Sequence, residues 1–234
     1  MNRCCQSTIL LYEVFWRATG GKVIPETTMP DNPLPAQLAA QAELIVNTLK
    51  QTVYQYAENI DPANGVYDCD CNSFVGFVLE GLAPAHYNLI PCEADQPRPR
   101  AFEYYDFFVS LTPESLGGWH RIALLGDARR GDIIAWRFPE IVAGQDTGHV
   151  LFVAETPALL NDDSANFAVR VYDSADVPHF EESRGDGTVD SQSGVGTGFI
   201  NFQVDVEGRP IAFQFGPSAD FQTFPIAIGR VEPF

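Results

Sequence analysis

From Cys71 to Leu82 the apolar side chains fall at Cys71, Phe74, Val75, Val78, Leu79 and Leu82. This is the i, i+3, i+4, i+7, i+8 spacing of a helix with one buried stripe. Asp70 stands just ahead of it, where a short oxygen-bearing side chain satisfies backbone N–H groups that the first turn leaves open. Gly81 and Pro84 mark its end. The spacing places Cys71, and not Cys69, in the first turn. Free N–H groups and the helix dipole favour an anion there, and a cysteine thiolate is one. Residue type alone fits an inert thiol equally well, because most buried cysteines act as small hydrophobes.

Two later segments bear on that choice. From His149, the residues His149, Leu151 and Val153 alternate with Val150, Phe152 and Ala154. Both sets are largely apolar, which predicts a strand of a sheet buried on two faces. The run Phe167–Asp173 alternates so that Asp173 shares a face with Phe167, Val169 and Val171. A cysteine at a helix mouth, a histidine opening a strand and an aspartate closing one are the parts of a cysteine peptidase. The thiol attacks, the imidazole carries the proton, and the carboxylate orients the imidazole.

Three stretches resemble the NlpC/P60 family of cysteine peptidases. Asp70-Cys71-Asn72-Ser73-Phe74-Val75 is similar to that family's Asp-Cys-Ser-Gly-Phe-Val signature. Gly131-Asp132-Ile133-Ile134-Ala135-Trp136 and Gly148-His149-Val150 resemble its later strands, in the same order. The likeness runs from about Tyr54 to Asp173, roughly half the chain, and departs at Asn72-Ser73 and at the additional Cys69. It implies an α+β fold with a papain-like core, a mostly antiparallel sheet of about five strands and the Cys71 helix packed on it. It implies amide hydrolysis through a Cys71 acyl-enzyme, with His149 as base and acid, Asp173 as orienting group and no cofactor. The implied substrate is a bacterial cell-wall peptide such as a peptidoglycan stem peptide. Tyr54-Gln55-Tyr56 resembles the family's Tyr-x-Trp element, which implies that the Tyr54 hydroxyl donates to the developing oxyanion; plain packing of both tyrosines is the other reading. The same fold class also runs acyl-transfer and amidase chemistry, and a non-catalytic binding module is a further alternative. Asp68 and Asp70 oppose a thiolate at Cys71 by charge, so the helix terminus and His149 must outweigh them. If they do, alkylation of Cys71 persists well below pH 8.

The remaining segments are read around this core. Residues 1–32, with Cys4, Cys5 and several glycines and prolines, are expected to be a loosely ordered arm and a poor signal peptide. Residues 33–234 form the single expected domain. Leu34, Leu38, Ala42, Ile45 and Leu49 keep helical spacing after Asn32-Pro33. An insert at about 83–130 begins with Pro84, Pro91, Pro97 and Pro99 and is expected to be irregular, then carries an aromatic run, Ala101–Leu111, as a short helix or flap. Beyond Asp173 a glycine-bearing loop to Gly198 reads as a lid, and its Arg184 as a bidentate partner for a substrate carboxylate. Phe199–Val204 and Pro210–Phe215 read as a hairpin about Glu207-Gly208, and Ile226–Val231 as a last strand.

Charge and cysteine content narrow the partners. A net charge of −17 over 234 residues argues against nucleic acid or an anionic membrane surface as the main partner. No stretch has the length and apolarity of a membrane span. Five cysteines are an odd number for a disulfide framework, so free thiols are expected. Cys69, Cys71, His86 and Cys92 make a weaker alternative, a structural zinc site, at spacings unlike the usual paired ligands. The expected site therefore holds no metal. His86, His120 and His179 are read as ordinary surface or core residues.

Overall fold

The computed structural model describes residues 33–112, 117–161, 163–184 and 193–234. The expected N-terminal arm lies outside the described residues. Helix α1 spans Leu34–Thr48 and buries Leu38, Ala39, Ala42 and Ile45, as its spacing predicts. A proline in its first turn lacks an N–H that would have had no helical partner there. Helix α2 spans Cys71–Leu82 and buries the predicted stripe from Cys71 to Leu79.

The insert is more ordered than its prolines suggest. It forms a one-turn helix α3, Pro84–Tyr87, and a ten-residue helix α4, Ala101–Ser110. The Glu103 carboxylate accepts the Arg100 N–H at 2.7 Å and fixes the start of α4. Tyr104 and Phe108 are wholly buried, so the aromatic run is a helix of the core and not a flap. The insert also supplies an edge strand of the main sheet, β3, Trp119–Ile122.

A small hairpin pairs β1 (Asn59–Asp61) with β2 (Val66–Asp68). The main sheet adds β4 (Ile133–Arg137), β5 (Gly148–Val153), β6 (Ala158–Leu160), β7 (Asp163–Ala175), β8 (Gly194–Val204), β9 (Pro210–Gln214) and β10 (Ile226–Val231). Its order is β3-β10-β4-β5-β7-β8-β9, with β6 on β7, and these pairs are antiparallel. The fold is α+β with a mostly antiparallel sheet, of eight strands among the described residues against the five or so expected. Short strands such as β3 and β6 carry too few residues to show a period of two.

The two apolar faces have different covers. Ile133, Ala135, Val150 and Phe152 pack under Leu38, Phe74, Val78 and Phe108 of the helices. Ile134, Trp136, Leu151 and Val171 meet Ile200, Phe202 and Phe213 of the sheet's own far strands. Trp136 on β4 stacks on Phe213 of β9 at 4.0 Å although three strands lie between them in the sheet. The sheet therefore curls on itself and buries both faces, which flat antiparallel sheets seldom do.

Gly131-Asp132 ties the start of β4 to its neighbour β10 and to α1. Asp132 is completely buried and accepts Arg230 of β10 through Nε at 2.7 Å and Nη2 at 2.8 Å. Gly131 has φ +90°, and a Cβ there would lie 1.8 Å from the Pro35 carbonyl oxygen. Gly131→Ala is expected to cost about 2 kcal/mol or more, from backbone strain and overlap together. A lowered denaturant midpoint at unchanged m-value would show it; an unchanged midpoint would refute it.

Candidate active site

Strands β5 and β7 pair only at Phe152↔Tyr172 and Val153↔Val171. Continued register would set Val150 opposite Ser174, but the strands part there. The N-terminus of α2 fills the split. Ser174 Oγ donates to the Cys69 carbonyl at 2.5 Å, and the Val150 backbone N–H faces the Cys71 sulfur. Asp70 caps the helix, its Oδ1 accepting the Ser73 N–H at 2.8 Å. Cys71 is thus the first residue of α2, as its spacing predicts, and it meets β5 one residue from His149.

The electrostatics at the sulfur differ from the expectation. Cys71 is 2% exposed, and burial pushes its thiol well above the usual cysteine range. Asp70, Asp146 and Asp173 act in the same direction, and the Val150 N–H opposes them. Desolvation and three carboxylates all favour the neutral thiol over the thiolate. Among the described residues the Cys71 thiol is directed at Asn72 Oδ1, at 4.0 Å, and no hydrogen bond joins it to His149. Alkylation of Cys71, followed by fragment-ion peptide mapping to separate it from the other four cysteines, should be slower at pH 7 than for an unperturbed thiol and rise steeply into alkaline pH. A rate that stays high below pH 7 would restore the thiolate.

Tyr54 approaches the same spot. The extended chain at residues 51–54 runs beside β2, with Tyr67 N donating to Gln51 O at 2.9 Å and Cys69 N to Val53 O at 3.0 Å. Burial raises the Tyr54 phenol far above its usual range. The hydroxyl keeps its proton, as a hydrogen-bond donor to an oxyanion must. Tyr56, its edge-on ring partner at 5.9 Å, is 68% exposed.

Asp173 is the hub of the polar residues. His149 Nε2 lies 2.6 Å from Asp173 Oδ2, and its ring stands between Trp136 and Phe215, at 5.0 and 5.1 Å. His179 Nε2 reaches the same Oδ2 at 2.9 Å. Arg184 donates through Nη2 to Asp173 Oδ1 and, at 3.1 Å, to the Asp173 carbonyl. Burial alone would raise the carboxyl; His179, Arg184 and the His149 hydrogen bond hold it well below the usual carboxylate range. Asp173 is therefore ionised and fully enclosed.

Two expectations change here. Arg184 does not face solvent as a carboxylate receptor: its side chain is completely buried, held by Asp173, by Glu182 and by the Gly194 carbonyl at 2.6 Å. Residues 194–198 are not part of a lid but the first half of β8; the stretch 185–192 lies outside the described residues. The glycines serve close approach. A Cβ on Gly196 would be 2.4 Å from Arg184 Cγ, and one on Gly198 2.7 Å from His179 Cβ. Phe180 and Phe199 exchange backbone hydrogen bonds at 3.0 and 2.7 Å, tying this strap to the bare face of the strand. Glycine at every second position of an otherwise apolar run was the signal for it, and composition alone read it as a loop.

The zinc alternative finds no support among the described residues, where no group of three or more His, Cys, Asp or Glu side chains is arranged to hold a metal ion. His86 Nε2 is engaged by the Glu232 carbonyl at 2.7 Å, and among the described residues Cys69, Cys71 and Cys92 form no disulfide. Among the described residues no helix is long and apolar enough to cross a membrane. An uncharacterized protein of Acanthamoeba polyphaga mimivirus is 27% identical over 180 residues, which cover 70% of this chain and 77% of that protein. No family model matches the chain, and no solved structure matches it.

Proposed function

We propose that the protein is a thiol-dependent amide hydrolase that works through an acyl-enzyme on Cys71. The observation that carries this reading is the split between β5 and β7. There the Cys71 sulfur faces the Val150 N–H, one residue along β5 from His149, whose ring Asp173 holds, and the chain that carries Tyr54 runs beside β2. A helix mouth wedged into the parting of a curled antiparallel sheet is the feature on which we base a papain-like, NlpC/P60-type architecture. With Nε2 bonded to Asp173, His149 presents Nδ1 as the nitrogen that takes the thiol proton. The resting thiol is neutral, so proton transfer to His149 accompanies attack on the carbonyl carbon. The negative oxygen that forms would be met by the Tyr54 hydroxyl and the Cys71 backbone N–H. The imidazolium then protonates the leaving amine, and water or another acceptor takes the acyl group from sulfur.

By resemblance the amide bond belongs to a bacterial cell-wall peptide. The second reading is a binding module that keeps the fold without turnover; the raised thiol and its missing hydrogen bond to His149 favour it. Incubation with muropeptides and simple acyl donors, read by mass spectrometry of both protein and products, separates the two. An acyl group on the Cys71 peptide together with released amine supports the hydrolase. Bound but uncleaved substrate, with no adduct, supports the module.

A further inference from the structure

We propose that His179 is a positioning residue: a second imidazole which, on the Asp173 oxygen that His149 uses, fixes where the proton carrier stands. This rests on the hydrolase reading above.

The hydrogen bonds define the ring. His179 Nδ1 lies 3.0 Å from the Phe215 carbonyl oxygen, which can only accept, so this nitrogen donates. Nε2 lies 2.9 Å from Asp173 Oδ2, which accepts as an ionised carboxylate. Both ring nitrogens therefore carry hydrogen. The side chain is wholly enclosed and packs edge-on against Phe215 at 4.5 Å, so it has no other orientation to take. Phe215 also meets the His149 ring, at 5.1 Å, and holds the two imidazoles on one carboxylate oxygen.

A carboxylate with a single partner can rotate. Asp173 cannot, because Arg184 occupies Oδ1 while both imidazoles occupy Oδ2. The lone pairs of Oδ2 are thereby committed, and the direction from which His149 is held is set by the direction of His179. Gly198 makes this possible, since any Cβ there would displace the His179 side chain. His179 does not itself reach the sulfur; it acts through Asp173 on His149.

The wild-type protein allows a direct test. It holds four histidines, so a nitrogen-15 histidine label gives four ring patterns by nuclear magnetic resonance at pH 7. The expected pattern for His179, identified by its loss in His179→Gln, has both nitrogens protonated. A bare ring nitrogen overturns the proposal. His179→Phe keeps the ring volume and loses both donors; His179→Gln keeps a donor. The expected loss is in kcat, roughly 10- to 100-fold for the Phe variant, as for other groups that orient a reacting group through a neighbour, with KM within about twofold and partial recovery in the Gln variant. Equal kcat in wild type and both variants overturns positioning. The two failures are separable: a wild type with no turnover sinks the hydrolase reading and the positioning role together, while a turning-over wild type indifferent to His179 sinks the second alone.

Discussion

Cys71→Ala is expected to lose turnover and the covalent acyl adduct together, while keeping the fold. Removing the nucleophile of an acyl-enzyme mechanism costs on the order of 10⁶ in kcat, because the other groups have nothing left to activate. His149→Ala should fall by a comparable factor. A loss of only about tenfold in Cys71→Ala would mean that the sulfur is not the attacking atom. The stability change is expected to be small and of known sign. Cys71 is a buried neutral thiol packed in the helix-side core, so deleting it removes one sulfur's worth of contacts, about 1 kcal/mol. A thermal midpoint within a few degrees of wild type thus separates lost chemistry from lost folding. The measurements are product release from an acyl donor, intact-protein mass, and the melting curve of the same sample.

Arg184→Met carries the largest expected effect on stability. The guanidinium is fully buried between Asp173 and Glu182 and also donates to two backbone carbonyls. Methionine keeps much of the length and removes the charge and every donor. Breaking a buried pair from one side costs about 3–5 kcal/mol, since the remaining carboxylates are left without their counter-charge. For a domain of this size that lowers the melting temperature by roughly 10 °C. The effect depends on pH in a defined direction. In the wild type the Asp173 carboxyl is held well below its ordinary value, so its contribution is present above the unfolded value, about 4, and is lost as the pH falls through the depressed folded value. In the variant the folded value moves up, so acid protonates the stranded carboxylate and relieves it. The difference between wild type and variant should therefore shrink below about pH 4. A change under about 1 kcal/mol at pH 7 would show that His149 and His179 suffice to hold Asp173.

Much of the local structure was legible because it follows from spacing. The α2 stripe, the Asp70 cap, the alternation of β5 and the β8–β9 hairpin each depend on residues a few positions apart. The insert was harder. Its prolines suggested irregularity, yet Tyr104, Phe108 and Trp119 bring buried aromatic area enough to order it. Asp173 and His149 were legible as candidates from residue type and face; the 2.6 Å hydrogen bond between them is a tertiary contact that alternation does not specify. Arg184 differs from its expected role because a charged side chain after a strand normally faces water, and the reading of His179 as a surface or core residue does not say what it would meet there. Only the glycine face of β8 tells otherwise, and its meaning depends on what is laid against it.

Repeat distances of 3.6 and 2 residues along one backbone were enough to say that α1 and α2 are helices and β5 a strand, which cysteine begins α2, and that both faces of β5 are covered. Long-range packing settled what spacing could not. It placed β10 between β3 and β4, curled the sheet until Trp136 met Phe213, and parted β5 from β7 so that the mouth of α2 could enter. It also set the charge at the sulfur. A helix terminus is a local property, but the enclosing core and the carboxylates of Asp146 and Asp173 arrive from distant stretches of chain. In a buried site, loss of water and the approach of like charge both favour the neutral thiol.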